Sequence, residues 1–161
     1  MPRLTVLADG FARLLHGLAQ VALVVLLALV AHEVFVRYVL NAPTQFSVEI
    51  SEYLLVFICF APAAWILRRD RHVRVSFMLD LLSPRLRARI EAAGMVLVAG
   101  FALVLVWKGS EMALTAWQSD DRASSLLGTP LWIPYACIPL GGLALAIAAF
   151  AETARLLTRD E

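Results

Sequence analysis

The stretch Arg68–Arg89, RRDRHVRVSFMLDLLSPRLRAR, holds seven of the fourteen Lys and Arg residues of the chain. Almost wholly apolar sequence flanks it on both sides. Seven guanidinium groups cannot enter hydrocarbon cheaply, so a block this basic between segments this greasy fixes how the chain faces a membrane. Inside the block, Phe77, Met78, Leu81 and Leu82 recur at i, i+1, i+4 and i+5, with Arg74 and Asp80 pointing elsewhere. This spacing predicts a short amphipathic helix over about 73–83 lying in the membrane surface, with those four side chains as its lipid-facing stripe. Ser83-Pro84 then opens the next helix, because proline suits the first helical position.

The wider composition agrees. The chain has 161 residues, 61% of them hydrophobic, and a mean hydropathy of +0.78. Soluble domains carry roughly 45–50% apolar residues. A domain this small leaves a large fraction of its surface exposed, so water cannot be its main solvent. Cys59 and Cys137 both lie inside apolar runs, with no CxxC pair, so neither a disulfide framework nor a metal site is expected. Arg3 and Arg13 precede an apolar run, as in a signal peptide. That run is long and ends in His32-Glu33 without a small-residue cleavage site, so a retained membrane anchor is expected.

Four segments reach the roughly 20 apolar residues that a bilayer core requires of a helix. They are expected at about 14–40, 47–67, 86–117 and 131–157, with Met1–Arg13 a weakly basic tail. Glu33 and Arg37 are four apart and share one helical face. Asn41-Ala42-Pro43 is a turn, after which Thr44 or Ser47 can cap the second helix. Pro62 should kink that helix, and membrane helices tolerate such a residue. Gly141-Gly142 in the fourth segment should let another helix approach closely. The fold class is therefore an all-α membrane protein: one domain over residues 1–161, with four transmembrane helices and a short interfacial helix between the second and third.

Positive charge sets the expected orientation. The two tails and the central loop hold eleven Lys and Arg residues and the other two loops hold three, Arg37, Lys108 and Arg122. The positive-inside rule puts both termini and the central loop in the cytoplasm. Anionic headgroups attract each arginine by about 1 kcal/mol, which accounts for most of the basic block with lipid as partner and no nucleic acid.

No catalytic constellation emerges: there is no Ser-His-Asp arrangement and no glycine-rich phosphate loop, so no enzyme is expected. His16 and His32 are sixteen residues apart on one helix, about 24 Å, too far to share an iron. No second ligand is spaced near His72, and no cofactor or metal is expected. Glu49 and Glu52 are the acids of interest, in the first turns of the second span. A proton or ion relay would need further acids along the other spans, and the third and fourth are bare at mid-depth. Partner contact or local pairing outweighs a relay, and helix capping explains Glu49 well. Asp120, Asp121 and Arg122 read as a solvated loop.

Three stretches resemble the small membrane subunit of the TRAP transporters, the tripartite ATP-independent periplasmic family. The first is Arg37-Tyr38-Val39-Leu40-Asn41 followed by Glu49 and Glu52. The second is Arg68-Arg69-Asp70-Arg71-His72-Val73-Arg74-Val75, similar to the family's basic, histidine-containing turn. The third is Leu131-Trp132-Ile133-Pro134-Tyr135 with Ile138-Pro139-Leu140-Gly141. Their order and spacing cover about residues 14–157. The chain departs where the family often has glycine in place of Asp70, and where a Leu-Gly pair stands against Cys59-Phe60-Ala61-Pro62. The resemblance implies a non-catalytic small permease subunit of a sodium-coupled transporter in the bacterial inner membrane. It would scaffold a large membrane subunit that takes up an organic acid delivered by a periplasmic binding protein. Glu49, Glu52, Arg68 and His72 are then candidates for subunit contacts or fold-holding pairs. An independent four-helix channel or a quinone-linked oxidoreductase is the alternative.

Overall fold

A computed structural model describes residues 2–42, 44, 46–69, 83–125 and 127–157. His72 and the expected surface helix with Phe77, Met78, Leu81 and Leu82 lie, apart from Ser83, outside these residues. The elements are α1 (Pro2–Val39), α2 (Phe46–Phe60), α3 (Ala63–Arg69), α4 (Pro84–Gln118) and α5 (Trp132–Leu157). Four stretches are long and apolar enough to cross a membrane: Asp9–Val39, Phe46–Arg68, Arg89–Gln118 and Trp132–Thr153. Among the described residues there is no β-strand, only an isolated bridge between Arg122 and Pro130.

Two differences from the expected layout have local causes. Pro2–Arg13 is not a tail but the first turns of α1. Arg3, Asp9 and Arg13 interrupt the hydropathy there without interrupting helix-forming residues, and no proline or cap stops the helix between Pro2 and Val39. Span two is broken rather than merely kinked: Ala61-Pro62 form a turn between α2 and α3. Pro62 has no N–H to continue the ladder. The chain resumes through the Ile66 N–H, which donates to the Pro62 carbonyl at 3.0 Å.

The helices form a bent row, with α1 folded back far enough to touch α5. α4 packs on α5, α5 also packs on α2 and α3, and α1 lies against α2 and α3 with a small contact to α5. Small residues set the spacing, as expected where lipid is as apolar as any side chain. Ala12, Ala64, Ala144 and Ala148 form a buried cluster joining α1, α3 and α5, with Leu15, Trp65 and Leu67 packed against it. A Cβ on Gly141 would lie 2.5 Å from the Phe60 carbonyl oxygen, and one on Gly142 would lie 3.1 Å from the Leu105 Cβ. The glycine pair thus admits two neighbours, α2 and α4, on faces of α5 about 100° apart. A Cβ on Gly109 of α4 would lie 2.8 Å from Pro139 Cδ, so that glycine receives the proline inside α5.

At the Arg68 end, Arg68 makes an ion pair with Asp9, joining α3 to α1. Arg68 is 8% exposed and Asp9 45%. Beside it, Trp65 stacks on His16 with ring centroids 5.6 Å apart, and the Arg13 guanidinium sits over the same indole. Asp9 is half in solvent but Arg68 is nearly buried, so Asp9→Ala should cost about 1–3 kcal/mol. Thermal unfolding in micelles reads this, and the deficit should shrink as salt screens the wild-type pair.

Candidate subunit-contact site

The other end of the row carries the connections 40–46 and 119–131 and most of the polar side chains inside the spans. Asn41, with φ 51°, reverses the chain after α1. The Ala42 N–H then donates to the Val36 carbonyl at 3.2 Å. α4 ends in a Schellman motif: Asp120 has φ 49°, its N–H donates to Trp117 O at 3.4 Å, and the Asp121 N–H donates to Ala116 O at 3.0 Å. The 119–131 connection then folds on itself. The Ala123 N–H donates to Thr129 O at 3.0 Å and the Leu131 N–H to Asp121 O at 2.9 Å. Trp117 and Trp132, on either side of it, meet edge to face at 5.0 Å.

Two carboxylates hold these connections. Glu33 of α1 accepts from Arg37 Nη2 at 2.8 Å and Nε at 3.2 Å, the pairing its spacing predicts. Its other oxygen accepts from the Thr44 hydroxyl and from the Thr44 N–H at 3.3 Å. Thr44 is therefore tied to α1, with its hydroxyl 2.7 Å from Ser47 Oγ, and Ser47 lies inside α2 rather than capping it. Glu49 of α2 is 4% exposed. It accepts from the Tyr53 hydroxyl at 2.7 Å, the Thr129 N–H at 3.3 Å and the Ser125 hydroxyl. Helix capping does not describe Glu49: its recorded partners are one turn further along α2 and in the 119–131 connection. A buried carboxylate needs several donors, and the folded connection supplies two of them.

Glu52 is placed differently. It is exposed on α2 and lines a groove of about 340 Å³ between α1 and α2, with Glu33, Arg37 and Ser51 and the apolar Val34 and Leu55. Arg68 is not near either acid. It follows Glu52 by sixteen residues, roughly 24 Å along a helical path. The four candidates thus do not form one site. Glu49 and Glu52 share one end, Arg68 holds the other, and His72 lies outside the described residues. Sequence reasoning did not find Asp9, Ser125 and Thr129 as partners. The available signal was topological: Glu49 and the polar 119–131 connection fall on the same side of the membrane. Among the described residues, no three His, Cys, Asp or Glu side chains are grouped to hold a metal ion.

Comparison with known proteins fits these features. The chain is 27% identical over 125 residues to the ectoine TRAP transporter small permease protein TeaB of Halomonas elongata, covering 77% of this chain and 64% of that protein. It is 26% identical over 123 residues to the sialic acid TRAP transporter small permease protein SiaQ of Vibrio cholerae, covering 73% and 66%. The chain thus spans a little under two thirds of the length of these relatives. Residues 26–159 match the family described as the DctQ component of tripartite ATP-independent periplasmic transporters. That stretch runs from the middle of α1 past the end of α5, and on it the chain, with its four helical stretches long enough to cross a membrane, belongs to the DctQ component family.

Proposed function

We propose that this chain is the non-catalytic small permease subunit of a sodium-coupled transporter. It scaffolds a large membrane subunit that imports an organic acid delivered by a periplasmic binding protein. Its termini and the Arg68–Arg89 stretch face the cytoplasm, and the 40–46 and 119–131 connections face the periplasm. The relatives' names attach ectoine and sialic acid to their own systems. For this chain the cargo stays at the level of an organic acid, because substrate-selective groups belong to the other components.

The observation that carries the proposal is the unpartnered surface of the row. Leu27 of α1 is 70% exposed and Leu97 of α4 is 74% exposed, and both sit on long faces of similar side chains. Such faces suit lipid and a second helical membrane protein alike, since neither asks a side chain to give up water. Glu49 and Arg68 serve as fold-holding pairs at the two ends. Glu52 and His72 remain for contacts outside the chain.

The test is a pull-down in mild detergent, with a tag on this chain and its neighbouring genes co-expressed. Recovery of a large hydrophobic permease in a one-to-one complex is the expected result. Recovery of this chain alone, folded and homo-oligomeric, overturns the scaffold role in favour of an independent channel or a quinone-linked oxidoreductase.

A further inference from the structure

We infer that the groove between α1 and α2 receives a lysine or arginine side chain of the large membrane subunit, with Glu52 as its counter-ion. The inference rests on the scaffold role proposed above. Three charged groups line the groove: Glu33, Arg37 and Glu52. Arg37 is spent on Glu33, whose second oxygen is occupied by Thr44. Glu52 has no hydrogen bond or ion pair among the described residues. The groove therefore carries one uncompensated negative charge.

Covering that charge without pairing it would be costly. Glu52 lies six residues inside α2, about 9 Å along the axis, and Glu33 lies six residues inside the end of α1. Charges within a span are held by pairing or by water. The groove walls are apolar and open. Val34, Val48 and Leu55 are each about half exposed, and they continue the bare face of α1. An apolar helix laid along that face would cover them and close the exposed Glu52 off from its surroundings.

Charge balance selects the occupant. A zwitterionic lipid can offer Glu52 an ammonium only by bringing its own phosphate to the same groove. An anionic lipid adds to the negative charge there. A single basic side chain on a partner helix neutralises it and gains a charge-assisted hydrogen bond. Burying both members of such a pair fixes register more surely than it adds affinity. Its loss should be felt most when the charge is reversed, because two cations would then share the groove.

The test uses the co-expressed complex with Glu52→Lys and Glu52→Gln, and with a photo-crosslinking residue at Leu55. Expected are a roughly tenfold or greater loss of recovered large subunit for Glu52→Lys and a smaller loss for Glu52→Gln. The Leu55 crosslink should map to a large-subunit helix bearing a lysine or arginine, and changing that residue to glutamate should restore recovery of Glu52→Lys. Size-exclusion profiles of the variants expressed alone should match wild type. If wild type recovers the large subunit and Glu52→Lys does so equally, the inference falls and the scaffold role stands. If native mass spectrometry shows that Glu52→Lys loses a bound phospholipid while the complex stays whole, the occupant is lipid and the inference is overturned. If wild type recovers no large subunit, both fall.

Discussion

Gly141→Leu should leave little protein that runs as a single folded species in detergent. A Cβ at this position would stand 2.5 Å from the Phe60 carbonyl oxygen, 2.7 Å from its Cβ and 2.8 Å from its carbonyl carbon. Two of these atoms are backbone, so no rotamer change relieves the overlap. Nor can α5 retreat without loss. Gly142, the next residue, lies about 100° round the helix, and a Cβ there would be 3.1 Å from Leu105 Cβ and 3.2 Å from the Ala102 carbonyl oxygen, so α4 limits sideways movement. Backing α5 off α2 would instead pull Ala144 and Ala148 away from Ala12 and Ala64. Overpacking of this kind costs about 1–3 kcal/mol per modest insertion, and Gly141→Ala should fall in that range. Gly141→Leu adds four carbons in place of one hydrogen and should exceed it. Fluorescence-detected size exclusion after a temperature series makes the comparison, with Gly100→Leu as control. Gly100 has nothing within 4 Å of its Cβ position, so its variant should behave as wild type. Equal melting of Gly141→Leu and Gly100→Leu would show that α5 and α2 do not approach as described.

The second large effect is expected at Glu49. Glu49→Ala removes the common acceptor of Tyr53, Ser125 and Thr129 and so unties the 119–131 connection from α2. The helices have their own packing and should persist, with unchanged helical content by circular dichroism. The connection should open more often. Trypsin has a target there in Arg122, whose side chain already reaches solvent. Cleavage of a native loop follows the population of its open state. Losing one buried acceptor with several donors should raise the cutting rate roughly tenfold or more. Glu49→Gln keeps one acceptor oxygen and should fall between. A cutting rate unchanged in Glu49→Ala would mean that the connection is held by its own turn and not by α2.

These two sites also mark what a reader of the sequence can and cannot see. Gly141-Gly142 announces a close approach because small residues in an apolar span have few other uses. It does not announce that the neighbours are α2 and α4 of the same chain, since both approaches depend on the order of helices in the row. Glu49 stands out as an acid in a span, yet Ser125 lies 76 residues away, and no local pattern links them. The four spans were legible because lipid imposes a length and an apolar composition on each, and Arg68–Arg89 separates them into two pairs. The start of α1 was hidden because hydropathy ends at Arg13 while the helix does not. The turn at Pro62 was legible as a disturbance but not in its size. That depends on α3 being held by Asp9, Ala12 and Ala148 from two other helices.

The row of helices bears on permeation. Solutes cross membranes through a lumen or by riding a moving body between two enclosing walls, and both require helices arranged around a space. Among the described residues, α1, α3 and α5 meet around one buried alanine cluster, and α4 packs on α5. Alanine side chains fill the place where those three helices meet, and the grooves beside Glu52 and beside Lys108 open at the surface. A body of this shape would widen whatever it joined in the bilayer, and under the scaffold role proposed above the conducting path belongs to another chain.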